Sequence, residues 1–80
     1  MKKIPVKVSL YSGYMLEEKP LSFYLNEREY RITGIMEQWL ENAATAGQPI
    51  LACFRVKTTN GQIFLLELNK REHCWTLRID

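Results

Sequence analysis

The chain has 80 residues, of which 46% are hydrophobic and 25% charged, and its formal net charge is +2. This length and composition predict one small soluble domain spanning residues 1–80 and exclude a disordered chain. Its apolar runs are only a few residues long and its first residues lack the apolar stretch of a signal peptide, so we expect no membrane span and a cytoplasmic location.

Alternation of apolar and polar residues predicts short strands along most of the chain. The alternating apolar positions are Val6, Val8 and Leu10; Leu21, Phe23 and Leu25; Tyr30 and Ile32; Phe54 and Val56; Phe64, Leu66 and Leu68; and Trp75, Leu77 and Ile79. Residues 11–20 contain Gly13 and Pro20 and predict a flexible loop. The pattern indicates a mainly β fold: a curled antiparallel sheet or small open barrel of five to six strands.

The segment FRVKTTNGQIFLLEL, residues 54–68, predicts a hairpin whose register decides which side chains face water. A two-residue turn at Asn60-Gly61 would pair Phe54 with Glu67 and mix core residues with charges. A three-residue loop over residues 59–61, with Gly61 as a left-handed bulge, instead pairs Phe54 with Leu66. This second register gathers the large apolar groups on one face, so the sequence favours the bulged loop.

Two further hairpins complete the predicted sheet. A turn at Arg71-Glu72 pairs Leu66 with Leu77 and keeps the same apolar face. A turn at Glu27-Arg28 predicts that Leu25 pairs with Tyr30 and Phe23 with Ile32.

The bulged register also predicts the composition of the opposite, outer face. Its three rows across the strands are Arg55–Leu65–Arg78, Lys57–Ile63–Asp80 and Cys53–Glu67–Thr76. Ile63 and Leu65 therefore stand among charged side chains, and we expect another part of the sheet, a helix or a partner to cover them.

Residues 35–45 fit two structures. Ile35, Met36, Trp39 and Leu40 recur at helical spacing, which predicts one short helix. The strand through Ile32 can equally continue to Trp39 with a bulge near Gly34. The sequence leaves this choice open.

The reactive side chains do not predict catalysis or a metal site. Adjacent strand residues point to opposite faces, so His73 and Cys74 are poorly placed to bind one ion, and no Cys-x-x-Cys motif accompanies them. Cys53 and Cys74 lie two strands apart in the predicted register, too far for a disulfide. No nucleophile motif or glycine-rich phosphate loop is present, so we predict a non-enzymatic protein without a cofactor.

Several core and turn positions resemble a small bacterial domain family of unknown function. The resemblance spans residues 23–79 and rests on the segments FYLNEREYRITGIMEQW, FRVKTTNGQIFLLEL and CWTLRI. The positions that carry it are Tyr30, Ile32, Trp39, Phe54, Arg55, Val56, Thr58, Gly61, Trp75 and Leu77. Some members of that family accompany translesion (Y-family) polymerase-like proteins, so the resemblance implies a link to nucleic acid but no activity and no binding residues.

The leading functional prediction is an interaction module that binds a partner protein or a second copy of itself. The predicted binding residues on the outer face are Arg55, Lys57, Ile63, Leu65 and Arg78. The alternative is a weak nucleic-acid-binding accessory domain in which the same basic residues meet the phosphates of a single strand. A pI of about 8.6 is only mildly basic and allows either function.

Overall fold

Seven strands form one antiparallel sheet in the computed structural model, which describes residues 2–10, 19–41, 47 and 49–79. The strands are β1 (Lys2–Pro5), β2 (Lys7–Leu10), β3 (Pro20–Leu25), β4 (Arg28–Glu41), β5 (Leu51–Thr58), β6 (Ile63–Asn69) and β7 (Cys74–Ile79). Their order across the sheet is β1-β7-β6-β5-β4-β3-β2. The predicted fold class, a mainly β curled antiparallel sheet, is confirmed, with seven strands rather than five or six.

The curl of the sheet follows from its first two strands. β1 pairs with β7 and β2 pairs with β3, so these strands form the opposite edges of the sheet although only Val6 separates them in sequence. The N–H of Val6 donates to the carbonyl of Trp75 at 3.2 Å. The two edges therefore approach each other at this residue, and the sheet bends into a half-barrel.

The apolar core lies inside this half-barrel. Its buried members are Phe23, Ala52, Phe54, Val56, Leu66, Leu68, Trp75 and Leu77. They come from β3, β5, β6 and β7 and occupy the alternating positions that the sequence predicts for the inner face. None of the described residues forms a helix, and so none forms one long and apolar enough to cross a membrane.

The β5–β6 hairpin has the predicted bulged register. Phe54 pairs with Leu66 and Val56 with Phe64. Gly61 has a φ of 81°, and its N–H donates to the carbonyl of Thr58 at 2.9 Å. Because glycine has no Cβ, it adopts this left-handed conformation without steric cost and supplies the extra residue of the loop. The β6–β7 pairing of Leu66 with Leu77 is also confirmed.

The predicted β3–β4 register is wrong by two residues, although the predicted faces are correct. Phe23 pairs with Tyr30 and Leu25 with Arg28, which places the turn at Asn26 and Glu27. These two residues have φ values of 51° and 66°, as in a two-residue hairpin turn of the mirror-image type. Because the turn lies one residue earlier than predicted, Phe23 is opposite Tyr30 and their rings stack with centroids 5.2 Å apart.

Of the two structures that fit residues 35–45, the continued strand is the one found over residues 35–41, and the short helix is not formed there; residues 42–45 lie outside the described part of the chain. β5 pairs with β4 from Ile32 to Glu41, with irregularities between Ile32 and Gly34 and between Ile35 and Glu37. The helical spacing of the apolar residues does not produce a helix here, because the backbone of β4 pairs with β5 along this stretch. Of the predicted loop at residues 11–20, residues 11–18 are not described, and Pro20 begins β3.

Candidate functional site on the outer face of the sheet

The outer face carries the predicted rows of side chains. Leu65 lies between Arg55 and Arg78, and Glu67 lies between Cys53 and Thr76. Lys57 pairs with Ile63, while Asp80 of the predicted third row lies outside the described residues. β4 completes this face, because Glu37 pairs with Arg55 and Trp39 with Cys53.

One end of the outer face holds a buried ionic network centred on Glu67, which is only 2% exposed. The Nε–H of Arg78 donates to the Glu67 carboxylate at 2.5 Å, and the Thr76 hydroxyl donates to it at 3.1 Å. Lys3 on β1 approaches the same carboxylate at 3.3 Å. The Nη2 of Arg78 also donates to Glu41 on β4 at 2.6 Å. The network therefore joins four strands through two carboxylates and two cations.

The Cys53 thiol lies within this network. It is buried and donates to the Glu41 carboxylate at 2.9 Å. Burial, reinforced by the hydrogen bond to Glu41, raises the pKa of Cys53 to about 12. Since the thiolate is the reactive form of cysteine, this thiol is a poor nucleophile near neutral pH.

The two carboxyl groups keep their negative charge. The thiol of Cys53 and then the guanidinium of Arg78 donate to Glu41 and lower its pKa. Burial alone would raise the pKa of Glu67, but the hydrogen bonds from Arg78, Lys3 and Thr76 outweigh it, so this pKa also lies below its ordinary value.

Glu41, Cys53 and Glu67 have the donor atoms of a cation site, with all ligand atoms within 4.8 Å of one another. Arg78 and Lys3 already balance the two negative charges of this set. The Nη2 of Arg78 contacts Glu41 and lies 3.8 Å from the Cys53 sulfur, and Lys3 contacts Glu67. The arrangement is therefore that of a neutralised ionic network, in which a side chain takes the place that a metal ion would need.

Beyond the network, Arg55 lies against Trp39. Its guanidinium carbon is 5.8 Å from the centre of the indole ring, and its Nη1 donates to Glu37 at 2.5 Å. Trp39 is half-buried beneath it. This contact holds a tryptophan and an arginine in one place on a rigid sheet.

The far end of the outer face is apolar and positively charged. Ile63 is 55% exposed beside the exposed Lys57, and Leu65 is half-buried next to it. The exposed Arg31 on β4 is near this end, because its carbonyl accepts a hydrogen bond from the N–H of Thr59.

The structure thus divides the predicted binding residues into two groups. Arg55, Lys57, Ile63 and Leu65 form a continuous part of the outer face, whereas Arg78 belongs to the ionic network. The sequence did not predict Trp39 and Glu41 on this face. Their side chains reach it only because β4 is a bulged strand, and neither its extended form nor its two bulges could be fixed from the apolar spacing alone.

Comparison with protein-family models, with curated proteins and with solved structures finds no match. The resemblance across residues 23–79 therefore stays a prediction.

Proposed function

We propose that this protein is a non-enzymatic interaction module that binds an acidic and apolar segment of a partner protein. The binding surface, named the docking patch below, consists of Trp39, Arg55, Lys57, Ile63 and Leu65. Arg78 supports this patch from beside Leu65 by tying β7 to β6 and β4.

The exposure of Ile63 carries the proposal. A β-branched aliphatic side chain that is 55% exposed, beside the half-buried Leu65, leaves apolar surface in water at the far end of a charged sheet face. An apolar patch with a polar rim is typical of a protein-binding surface.

The residues around Ile63 indicate the chemistry of the partner. Lys57 is exposed at this end of the face, and so is Arg31, which lies 3.9 Å from the Glu29 carboxylate. These two cations favour a partner that brings carboxylates. Trp39 and Arg55 add the two residue types that most often dominate binding energies at protein interfaces. Because their contact with each other already fixes their positions, binding loses little side-chain entropy.

The state of the reactive groups supports a non-enzymatic role. The Cys53 thiol is buried, donates to Glu41, and has its pKa raised to about 12. Both Cys53 and Cys74 are free, which supports the expected cytoplasmic setting, where thiols stay reduced.

The ion pairs also favour a protein partner over a nucleic acid. Arg55 contacts Glu37, and Arg78 contacts Glu41 and Glu67, so these two predicted phosphate-binding residues already face carboxylates. Nucleic-acid binding is therefore an outcome that the experiment must distinguish.

The test uses a displayed library of random peptides selected on the immobilised protein. We expect the selected peptides to combine Asp or Glu with aliphatic residues, and Ile63→Asp to weaken their binding about tenfold or more. Ile50→Asp is the matched control, since Ile50 is 44% exposed and precedes β5 at the opposite end from Ile63.

Three results would contradict the proposal. One is a selection that yields no peptide of this composition, and another is equal binding by the Ile50 and Ile63 variants. Tight binding of a mixed-sequence single-stranded oligonucleotide that weakens steeply with added salt and survives Ile63→Asp would point to nucleic acid instead.

A further inference from the structure

β4 is much longer than the strand beside it. It has 14 residues, whereas β3 has six and pairs with β4 only as far as Arg31. From there β3 and β4 separate around an open depression of about 400 Å³, lined in part by Leu21 and Ile35. Among the described residues, residues 34–41 therefore pair with β5 on one side and with no strand on the other. We call this stretch the open β4 edge.

The open β4 edge has unused hydrogen-bonding capacity. In an antiparallel pair, alternate residues direct both N–H and C=O toward the partner strand, and the residues between them direct these groups away. From Glu37 to Glu41, where the pairing with β5 is regular, every second residue thus directs its backbone groups away from β5. Such an edge is a template for one more strand.

The side chains of the open β4 edge do little to prevent it from pairing with another strand. Folded proteins commonly protect an edge with lysine or proline, and residues 34–41 contain neither. Instead the edge carries Met36, which is 53% exposed, and Leu40, which is 60% exposed. The bulge before Glu37 twists one end of the edge, but pairing with β5 is regular from Glu37 to Glu41.

We infer that the open β4 edge binds the same edge of a second copy of this chain, antiparallel and around a two-fold axis at Gln38. This register places Gln38 opposite itself and Met36 opposite the second copy's Leu40 on both sides of the axis. Glu37 then lies opposite the second copy's Trp39. The two most exposed apolar side chains of the edge cover each other, and a neutral amide that both donates and accepts meets its own copy.

The charges exclude the neighbouring registers. A two-fold axis at Glu37 would place two carboxylates directly opposite each other. An axis at Trp39 would place Glu37 opposite the second copy's Glu41 twice. Like charges facing each other across strands are destabilising, so the axis at Gln38 is the favoured one.

This dimer shares Trp39 with the docking patch, but it does not use Ile63, which carries the proposed function, and residues 36, 38 and 40 are not part of that patch. The inference therefore stands independently of the proposed function. Disruption of the edge is expected to leave peptide binding at Ile63 unchanged.

Sedimentation equilibrium across a dilution series tests the inference. We expect a monomer–dimer equilibrium with a dissociation constant on the order of 100 µM, since only about five residues of each chain pair. The double variant Met36→Lys with Leu40→Lys places lysine opposite lysine twice and is expected to weaken dimerisation about tenfold or more. The double variant Met36→Lys with Leu40→Glu places opposite charges together and is expected to restore it.

A cysteine at the axis gives a second readout. In a Cys74→Ser background, Gln38→Cys is expected to form a covalent dimer under mild oxidation, because directly opposed antiparallel residues are within disulfide distance. Ile63→Cys in the same background is the exposed control. Circular dichroism of each variant shows that it has kept the sheet.

A protein that stays monomeric up to about 1 mM would overturn the inference, as this is well above the expected constant. So would a dimer that Ile63→Asp disrupts and the double-lysine variant does not. Equal weakening by both Met36/Leu40 double variants would refute the register at Gln38 and, with it, the self-complementary edge.

Discussion

Arg78 on β7 reaches diagonally to Glu67 on β6, with the guanidinium Nε 2.5 Å from a carboxylate that is only 2% exposed. This pair lies on the sheet face opposite the apolar core. A charge at this depth is stable only when it is paired and hydrogen-bonded, and Glu67 receives further donors from Thr76 and Lys3. The outer face is therefore a structural layer at one end and an accessible surface at the other.

The first prediction concerns removal of Arg78. Arg78→Met leaves the buried Glu67 carboxylate with Lys3 as its remaining charged partner, and we expect it to lower the free energy of unfolding by about 3 kcal/mol. Chemical denaturation of the two proteins measures the difference. A loss of that size is a large part of the stability of a small domain, so an unfolded variant would agree with the prediction.

Glu37→Gln is the matched control for Arg78→Met. It breaks an ion pair of similar length, between Arg55 and Glu37, whose side chains are 43% and 56% exposed. Exposed pairs contribute little, so we expect a change below about 1 kcal/mol. If both variants lose the same stability, the Glu67 network does not behave as a buried one.

The second prediction is acid sensitivity. In the unfolded chain Glu41 and Glu67 bind protons near the ordinary pKa of 4.5, whereas the folded protein holds both pKa values lower. In acid the unfolded state therefore binds more protons, so this stabilisation is complete above the ordinary pKa and is lost as the pH falls through the folded values.

Denaturation midpoints measured from about pH 7 down to about pH 3 test whether stability falls with pH in this way. We expect the wild type to lose stability steeply below its ordinary carboxyl pKa of 4.5. Glu67→Gln is less stable at neutral pH and is expected to show a shallower loss in acid. An equally steep acid loss in that variant would assign the effect to other carboxylates.

The third prediction concerns thiol reactivity. Cys74 is exposed, whereas Cys53 is buried and has its pKa raised to about 12. Iodoacetamide at about pH 8 is expected to modify Cys74 first and Cys53 only as the sheet opens, with mass spectrometry after digestion to assign the sites. Comparable labelling rates at the two thiols in the native protein would contradict the described network.

The sequence predicts the β5–β6–β7 part of this face because one glycine fixes its register. With Gly61 as a bulge, alternation alone places Phe54 inside and Arg55 outside, and the structure agrees. The row that contains Cys53 and Glu67 follows from the same bulged register. A pattern of period two is a strong signal wherever one face is buried.

β4 is where the sequence leaves the structure undecided, for a physical reason. Two bulges interrupt its alternation, so Ile35 faces Val56 in the core while Trp39 lies opposite Cys53 on the outer face. Apolar residues spread over both faces of a bulged strand mimic helical spacing. The sequence therefore places Cys53, Glu67 and Thr76 in one row but does not place Glu41 beside Cys53.

The β3–β4 turn supplies the last prediction. Glu27 has a φ of 66°, a left-handed conformation that a glutamate adopts at a cost, and Asn26 before it has a φ of 51°. Asn-Gly is the preferred pair for such a turn, so Glu27→Gly is expected to raise the free energy of unfolding by about 0.5–1 kcal/mol. Glu29→Gly, within the strand that follows, is the control and is expected to destabilise the protein. Denaturation curves show whether each variant is more or less stable than the wild type. A less stable Glu27→Gly protein would mean that the Glu27 side chain contributes more stability than its left-handed backbone costs.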